Sequence, residues 1–384
     1  MKFQNTVTSK LPKIGTSIFA IMSQMATEHK AINLSQGFPD FPISEKLIEL
    51  VSLYMKKGHN QYAPMPGIMP LREAIAQKIY DTYKLQYNPE TEITLTAGAT
   101  QGIFTAISAL IKEDDEVIVF EPAYDSYVPA IKLNGGIPIH IKMKEPDYTI
   151  NWNEVKKTIT HRTKMIIINS PHNPTGTVLS PDDMKNLEKI TNNTDIIILS
   201  DEVYEHIIFD NKRHESICHY PKLSERSLVL FSFGKTFHAT GWKMGYCLAP
   251  ENLMKEFRKA HQFVVFTCNT PIQYALADFL KEKENYVHIA EMYQQKRNYF
   301  LELIKPSRFK PVPSYGTYFQ LLNYSNISDE KEMAFASKLT QEHGVASIPI
   351  SVFYNKEVNN NVLRFCFAKT DETLQKAAEK LCKI

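Results

Sequence analysis

The sequence has no excess of charge, no long apolar run and no paired cysteine motif, and each absence closes off a class of function. Lys and Arg total 44 against 42 Asp and Glu, a formal net charge of +2, so no overall field gathers nucleic acid or anionic lipid. The basic pairs Lys56-Lys57 and Lys156-Lys157 read as solvated helix faces. No stretch approaches the roughly 20 apolar residues of a membrane span, and the opening MKFQNTVTSKLPKIG lacks the apolar centre of a secretory signal. Cys218, Cys247, Cys268, Cys366 and Cys382 are odd in number and form no CxxC pair, as expected of buried thiols in a reducing compartment. The expectation is a cytoplasmic protein with no nucleic-acid partner, no membrane partner and no metal centre.

Repeats, low-complexity tracts and long Gly/Ser linkers are also missing, so the 384 residues are expected to form a compact body with a large core. What is present is an alternation. LSQGFPDFP is a Gly/Pro/Asp-rich loop, and Pro70 then opens a helix with Leu71, Ile75 and Ile79 on one face. Beyond it, EITLT (92–96), EVIVF (116–120), KMIIINS, DIIILSDEVY and SLVLFSFGK read as strands. The segments GATQGIFTAISALI, YDSYVPAIKLNG and PDDMKNLEKI between them read as helices. Short β-branched runs separated by helices imply a parallel sheet covered on both faces. MGYCLAP follows too closely for a parallel crossover and is expected to run antiparallel to the strand before it. GTYFQLL and LRFCFA read as strands of a smaller α+β region. The expected division is an arm and part of the small domain at 1–45, a large domain at 46–285 and a small C-terminal domain at 286–384.

In such a sheet, ligands bind beyond the carboxyl ends of the strands. Five strand ends here carry Gly98-Ala99-Thr100, Glu121-Pro122-Ala123-Tyr124, SPHNPTG, SDEVY and SFGKT. GKT alone is no Walker loop, because Val229 stands where a glycine is needed and no helix is expected to follow. No GxGxxG is present around Gly98 and Gly102 either. Lys235 then reads as an amine nucleophile, freed by desolvation and nearby cations to form a Schiff base. Asp201 reads either as the cap of a following helix or as the counter-ion of a protonated pyridine nitrogen, which makes such a ring an electron sink. Asn173 belongs to a turn or donates to a ring oxygen, and Tyr204 and Tyr124 pack in the core or meet a flat ring. Ala99 and Thr100 offer free N–H groups to a phosphate at a helix start, with Ser232 and Lys243 adding a hydroxyl and a charge. Together these are the equipment for pyridoxal 5′-phosphate (PLP).

These motifs resemble the class I/II aminotransferases, and within them the branch containing methionine and kynurenine–oxoglutarate aminotransferases. The likeness runs through SKLPKIGTSIF, INLSQGFPDFP, NQYAPMPGIMPLREAIA, TAGATQGI, EPAYDSY, SPHNPTG, SDEVYEHI, SFGKTFHATGWKMGY, GTYF, IPISVFY and LRFCFAKTDETL. It implies PLP fold type I: an α/β large domain with a mostly parallel seven-stranded sheet between helices, plus a smaller α+β domain. It also implies that Lys235 is the Schiff-base lysine and that Asp201 pairs with the pyridine nitrogen. Asn173 and Tyr204 would bind the ring oxygen, with Tyr124 stacked on the ring. Ala99, Thr100, Ser232 and Lys243 would hold the phosphate, joined by Tyr62 from the other subunit of a homodimer. Arg364 would grip the substrate carboxylate as a fork, assisted by Asn173 and Gly37. Lys243 replaces the arginine of many class I members, and His238 a small residue. The implied reaction moves an amino group from an amino acid to a 2-oxo acid by ping-pong chemistry. A carbon–sulfur β-lyase on the same scaffold is the alternative. A PLP-binding regulator would need a DNA-binding extension, and none is expected from this sequence. With Arg364 the one arginine among the motifs expected to line the crevice, and with Phe19, Tyr62, Tyr124 and Phe266 as expected walls, neutral donors are expected, methionine above all.

Overall fold

The computed structural model of the chain describes residues 6–384; residues 1–5 of the expected N-terminal arm lie outside the described residues. The central sheet has seven strands. From one edge to the other they are Ile93–Thr96, Gly245–Leu248, Ser227–Ser232, Ile197–Asp201, Thr163–Asn169, Glu116–Glu121 and Ile137–Lys142. Gly245–Leu248 runs antiparallel to both of its neighbours, and every other pairing is parallel. The α/β architecture and the antiparallel MGYCLAP strand are therefore as the sequence implied.

Alternation along these strands builds two apolar layers. Ile166, Ile168, Ile198 and Val229 face one core, while Ile167, Leu199, Leu228 and Leu230 face the other. Side chains two apart share a face, so a continuous apolar run suits a strand buried on both sides. Fully burying each such side chain contributes about 1.5–3 kcal/mol. The seventh strand, Ile137–Lys142, was not among the sequence expectations. It is an edge strand with mostly half-buried side chains and carries Pro138, so it lacks the apolar run that marks its neighbours. The helix expected over YDSYVPAIKLNG is shorter, covering Tyr127–Leu133.

A second sheet of four antiparallel strands contains Ile348–Pro349, Val362–Cys366, Phe319–Asn323 and Lys310–Pro311. The N-terminal arm joins this part of the molecule: Ile32–Asn33 pairs in parallel with Val345–Ala346, and Leu34 C=O accepts from Cys366 N–H at 2.8 Å. That pairing brings Ser35 and Gly37 to the edge of the central crevice. The Ser351–Asn360 stretch crosses back to the large sheet, where Asn355 N–H donates to Glu121 Oε1 at 2.6 Å. Among the described residues no helix is long and apolar enough to cross a membrane. All five cysteines are free thiols, and four are buried.

Candidate active site

Beyond the carboxyl ends of the strands lies a crevice with about 700 Å³ of empty space, its open mouth included. Ala99, Thr100, Tyr124 and Asn173 line it, as do Asp201, Tyr204, Ser232, Lys235 and Lys243. Residues spread over 145 positions of sequence thus reach one space because their strands end together.

One end is a cradle of donors. The helix Ala99–Leu110 starts directly after Gly98, whose φ of +77° lies in the region that favours glycine. The Lys243 side chain lies beside Gly98, with Cε 3.4 Å from where a Cβ would stand, so the ammonium is held near the helix start. Free N–H groups, Lys243, Ser232 and the Thr100 hydroxyl make an anion site. Thr100 Oγ1 lies 3.4 Å from Tyr124 Oη.

The middle is built around Asp201, the last residue of its strand and 4% exposed. Tyr127 O–H donates to Oδ2 at 2.6 Å, and Val203 N–H to Oδ1 at 3.3 Å. Desolvation pushes the carboxyl up to about 6, while these two donors and the Lys235 charge pull it back. No helix follows Asp201; the next helical turn is Ile217–His219. The helix-cap reading is therefore wrong, and the Asp201 carboxylate faces the crevice without a cationic partner in contact. Asn169, at the end of the adjacent strand, donates to Asp201 C=O at 2.8 Å and accepts from Asn173 N–H at 2.8 Å. It thereby sets the depth of Asn173.

Lys235 corrects a second detail. It lies three residues past its strand on a single helical turn, Phe233–Thr236, so a helix does follow the strand, and Val229 alone rejects the Walker loop. Its Nζ donates to Tyr318 Oη at 2.5 Å and to Gly37 C=O at 3.3 Å. Desolvation lowers the amine to about 8, opposed by Cys366 and Asp201 and assisted by Arg364 and Lys243.

Arg364 is 1% exposed. Its Nη1 donates to Asn173 Oδ1 at 2.8 Å and its Nη2 to Ser35 C=O at 3.1 Å, while buried Nε has no partner. The guanidinium carbon lies 3.8 Å from the Phe319 ring centroid, 5.3 Å from that of Phe19 and 5.4 Å from that of Phe353. Among the described residues the arginines in salt bridges are Arg162 and Arg297; Arg364 has no carboxylate. Burial brings it down to about 10. A buried guanidinium without an anion is costly, and a ligand carboxylate removes the cost.

Tyr62 stands apart. It is 81% exposed, edge-on to the half-exposed Phe266 at 5.2 Å, and neither lines the crevice of its own chain. Tyr62 was expected to serve the site of the other subunit; Phe266, expected as a wall, lies outside the crevice of its own chain. Sequence reasoning missed Tyr127, Asn169 and Tyr318. Tyr318 stood in plain view in GTYF, read only as strand, but nothing local marks its contact with Lys235.

The donor set fits PLP on its own terms: an anion cradle, a buried carboxylate for a ring N–H, a phenol and an amide, and an amine that burial brings down to about 8. A family model for class I and II aminotransferases matches residues 29–381. The chain is 47% identical to the methionine aminotransferase of Escherichia coli K12 over 374 residues, 97% of each. It is 34% identical to a kynurenine–oxoglutarate transaminase of Dictyostelium discoideum, covering 96% of this chain and 94% of the relative. Among solved structures, Escherichia coli YbdL, described as having a methionine aminotransferase function, superposes with a TM-score of 0.97 at 46% identity, over 99% of this chain and 100% of the other.

Proposed function

The chain belongs to the class I and II aminotransferases, and from that premise we propose that it moves the amino group of a neutral L-amino acid to a 2-oxo acid. Methionine is the foremost donor, with aromatic and kynurenine-like donors also accepted. Enzymes of this class use PLP, which supplies an aldehyde carbon to take the amino group and a ring to draw electrons from the α-carbon.

Each side chain then has a task. The helix start at Ala99 and Thr100, with Ser232 and Lys243, binds the phosphate, and Tyr124 stacks on the ring. Asp201 holds the ring N–H, and its carboxylate is favoured once that cation arrives. Tyr204 O–H and Asn173 Nδ2 donate to the ring oxygen. Lys235 would hold the cofactor, and its Nζ is the base placed to take the proton from the substrate Cα. Arg364, assisted by Asn173 and Gly37, binds the α-carboxylate, which orients the Cα–H toward Lys235. The observation that carries this reading is the buried Arg364, with no carboxylate in contact, sharing Asn173 with the crevice of a Lys235 whose amine burial brings down to about 8.

Specificity follows from what the crevice lacks. Its lining cations are Lys235 and Lys243, both already assigned, and Arg364 is taken by the α-carboxylate. A second substrate carboxylate would be buried without a partner. Phe19 and Phe353 flank the guanidinium instead, and a thioether packs well against aromatic rings. The relatives named for methionine and kynurenine support the same choice.

The working unit in this proposal is a homodimer, with Tyr62 completing the phosphate site of the second copy. The exposed Tyr62, Phe263 and Phe266 support it, since clustered aromatics are what interfaces bury. The balanced charge and free thiols support a cytoplasmic setting, and domain limits near residues 45 and 285 belong to the same proposal. The test is kcat/KM for methionine, phenylalanine, kynurenine and aspartate with one shared oxo acid. Pyruvate release without any oxo acid is followed in parallel to expose β-lyase chemistry. A preference for aspartate overturns the specificity.

A further inference from the structure

We propose that Tyr318 is a positioning residue for Lys235: it receives the lysine amine whenever that amine is not bonded to the cofactor and turns its lone pair toward the crevice.

The geometry is a closed triangle. Tyr318 O–H donates to Gly37 C=O at 2.5 Å, which uses the only proton the phenol has. Its oxygen therefore meets Lys235 Nζ, also at 2.5 Å, as an acceptor. Gly37 C=O accepts a second N–H from Nζ at 3.3 Å. A neutral amine has two N–H bonds and one lone pair. Both N–H bonds are taken by the two oxygens, so the lone pair is the direction left over, and Lys235 lines the crevice. An ammonium would instead point its third N–H there without a partner.

The surroundings hold the phenol still. Tyr318 is fully buried. Its ring is edge-on to Tyr204 at 5.1 Å and to Phe319 at 5.0 Å, and tilted against Tyr293 at 5.8 Å. Gly37 must approach closely for the triangle to form: a Cβ there would lie 2.6 Å from Phe319 Cζ and 3.3 Å from Tyr318 Cε2. The same segment is tied down by Arg364 on Ser35 C=O and by Lys369 on Phe38 C=O. The charged or titratable groups acting on the amine are Asp201, Arg364, Lys243 and Cys366, besides the phenols of Tyr204 and Tyr318. Of these, Tyr318 is the one in hydrogen-bond contact.

This inference rests on Lys235 being the point of PLP attachment, and the experiment separates the two. Full-length apoprotein is mixed with PLP, and the rate at which borohydride-stable label appears on Lys235 is measured from pH 6 to 10. The amine adds to the aldehyde carbon and water leaves, so the rate follows the neutral amine. In the wild type it should rise through about 8. In Tyr318→Phe, which keeps the ring, attachment above that midpoint should slow about tenfold, the size of one lost hydrogen bond to an ionisable group. The midpoint should also move down, because an acceptor that favours the charged amine has gone. A purely packing role for the ring would move neither. Wild-type label on another lysine defeats the assignment of Lys235. Wild-type label on Lys235 with rate and midpoint unchanged in Tyr318→Phe defeats this inference alone. If Tyr318→Phe does not fold, Gly37→Ala decides, since its methyl group displaces Phe319 and the phenol. The same slowing supports the triangle, and an unaltered profile overturns it.

Discussion

Arg364 Nη1 donates to Asn173 Oδ1 at 2.8 Å, and this one bond commits the two ends of the Asn173 amide to different partners. The oxygen faces the guanidinium, leaving Nδ2 as the donor for the crevice. In the proposed reaction, substrate carboxylate and cofactor oxygen would thereby be registered against a single side chain. Asn173→Asp should place a permanent carboxylate on Arg364 and fill the substrate's position. A buried charge pair of this kind is worth about 2–5 kcal/mol. The amino donor KM is therefore expected to rise about 100-fold or more while the thermal midpoint of the apoprotein rises, because Arg364 gains its anion. Steady-state kinetics and a melting curve check it; an unchanged KM would detach Asn173 from carboxylate binding.

Asp201→Asn should trade function for stability. Burial penalises the Asp201 carboxylate, so the folded chain holds this proton more tightly than the unfolded chain does, about 6 against 3.8. The stability linked to the protonated carboxyl is complete below pH 4 and lost as pH rises through about 6. Asparagine has no charge to desolvate and can still accept from Tyr127. The variant apoprotein should therefore be more stable than wild type at pH 7–8, by up to about 3 kcal/mol, and equal near pH 4. Turnover should fall by about three orders of magnitude, because the ring nitrogen loses its counter-ion. Denaturant titrations at the two pH values and single-turnover rates test both halves.

Lys235→Ala should abolish transamination yet leave PLP binding measurable, since the phosphate cradle of Ala99, Thr100, Ser232 and Lys243 is untouched. The visible band of lysine-bound PLP should be absent, and borohydride should fix no label. Residual turnover within about tenfold of wild type would require another base within reach of the substrate Cα.

A mixture of Tyr62→Ala and Lys235→Ala subunits should regain activity that neither homodimer has. A hybrid dimer would hold one site with both residues intact, which predicts roughly a quarter of wild-type activity after full exchange at equal stoichiometry. Sedimentation confirms the dimer and the exchange. No recovery after exchange would restrict Tyr62 to its own surface.

Tyr318 and Arg364 show where reading from sequence reached its limit. Arg364 was found through LRFCFA and the resemblance, but neither revealed that its Nε is buried without a partner or that Phe319 stacks on its face. Asp201 was located at its strand end, yet the choice between helix cap and ring counter-ion turned on whether a helix follows. That depends on how Val203–Ile208 packs beneath Tyr315–Phe319, a long-range matter. The edge strand Ile137–Lys142 escaped because half-buried edges carry no continuous apolar run.

The sequence by itself determined the layering of the sheet, the strand ends that meet at the crevice, and the family, and it pointed to the amine, carboxylate and donor groups there. Those are local or periodic properties, written in runs of apolar residues and short motifs. The tertiary structure alone decided which distant groups touch: Tyr127 on Asp201, Asn169 under Asn173, and Tyr318 with Gly37 around Lys235. Lys235 and Tyr318 are 83 residues apart. Gly37 joins them because the arm strand Ile32–Asn33 pairs with Val345–Ala346 and brings Gly37 to both side chains. No spacing rule encodes such a meeting, because it joins segments that only long-range pairing brings together.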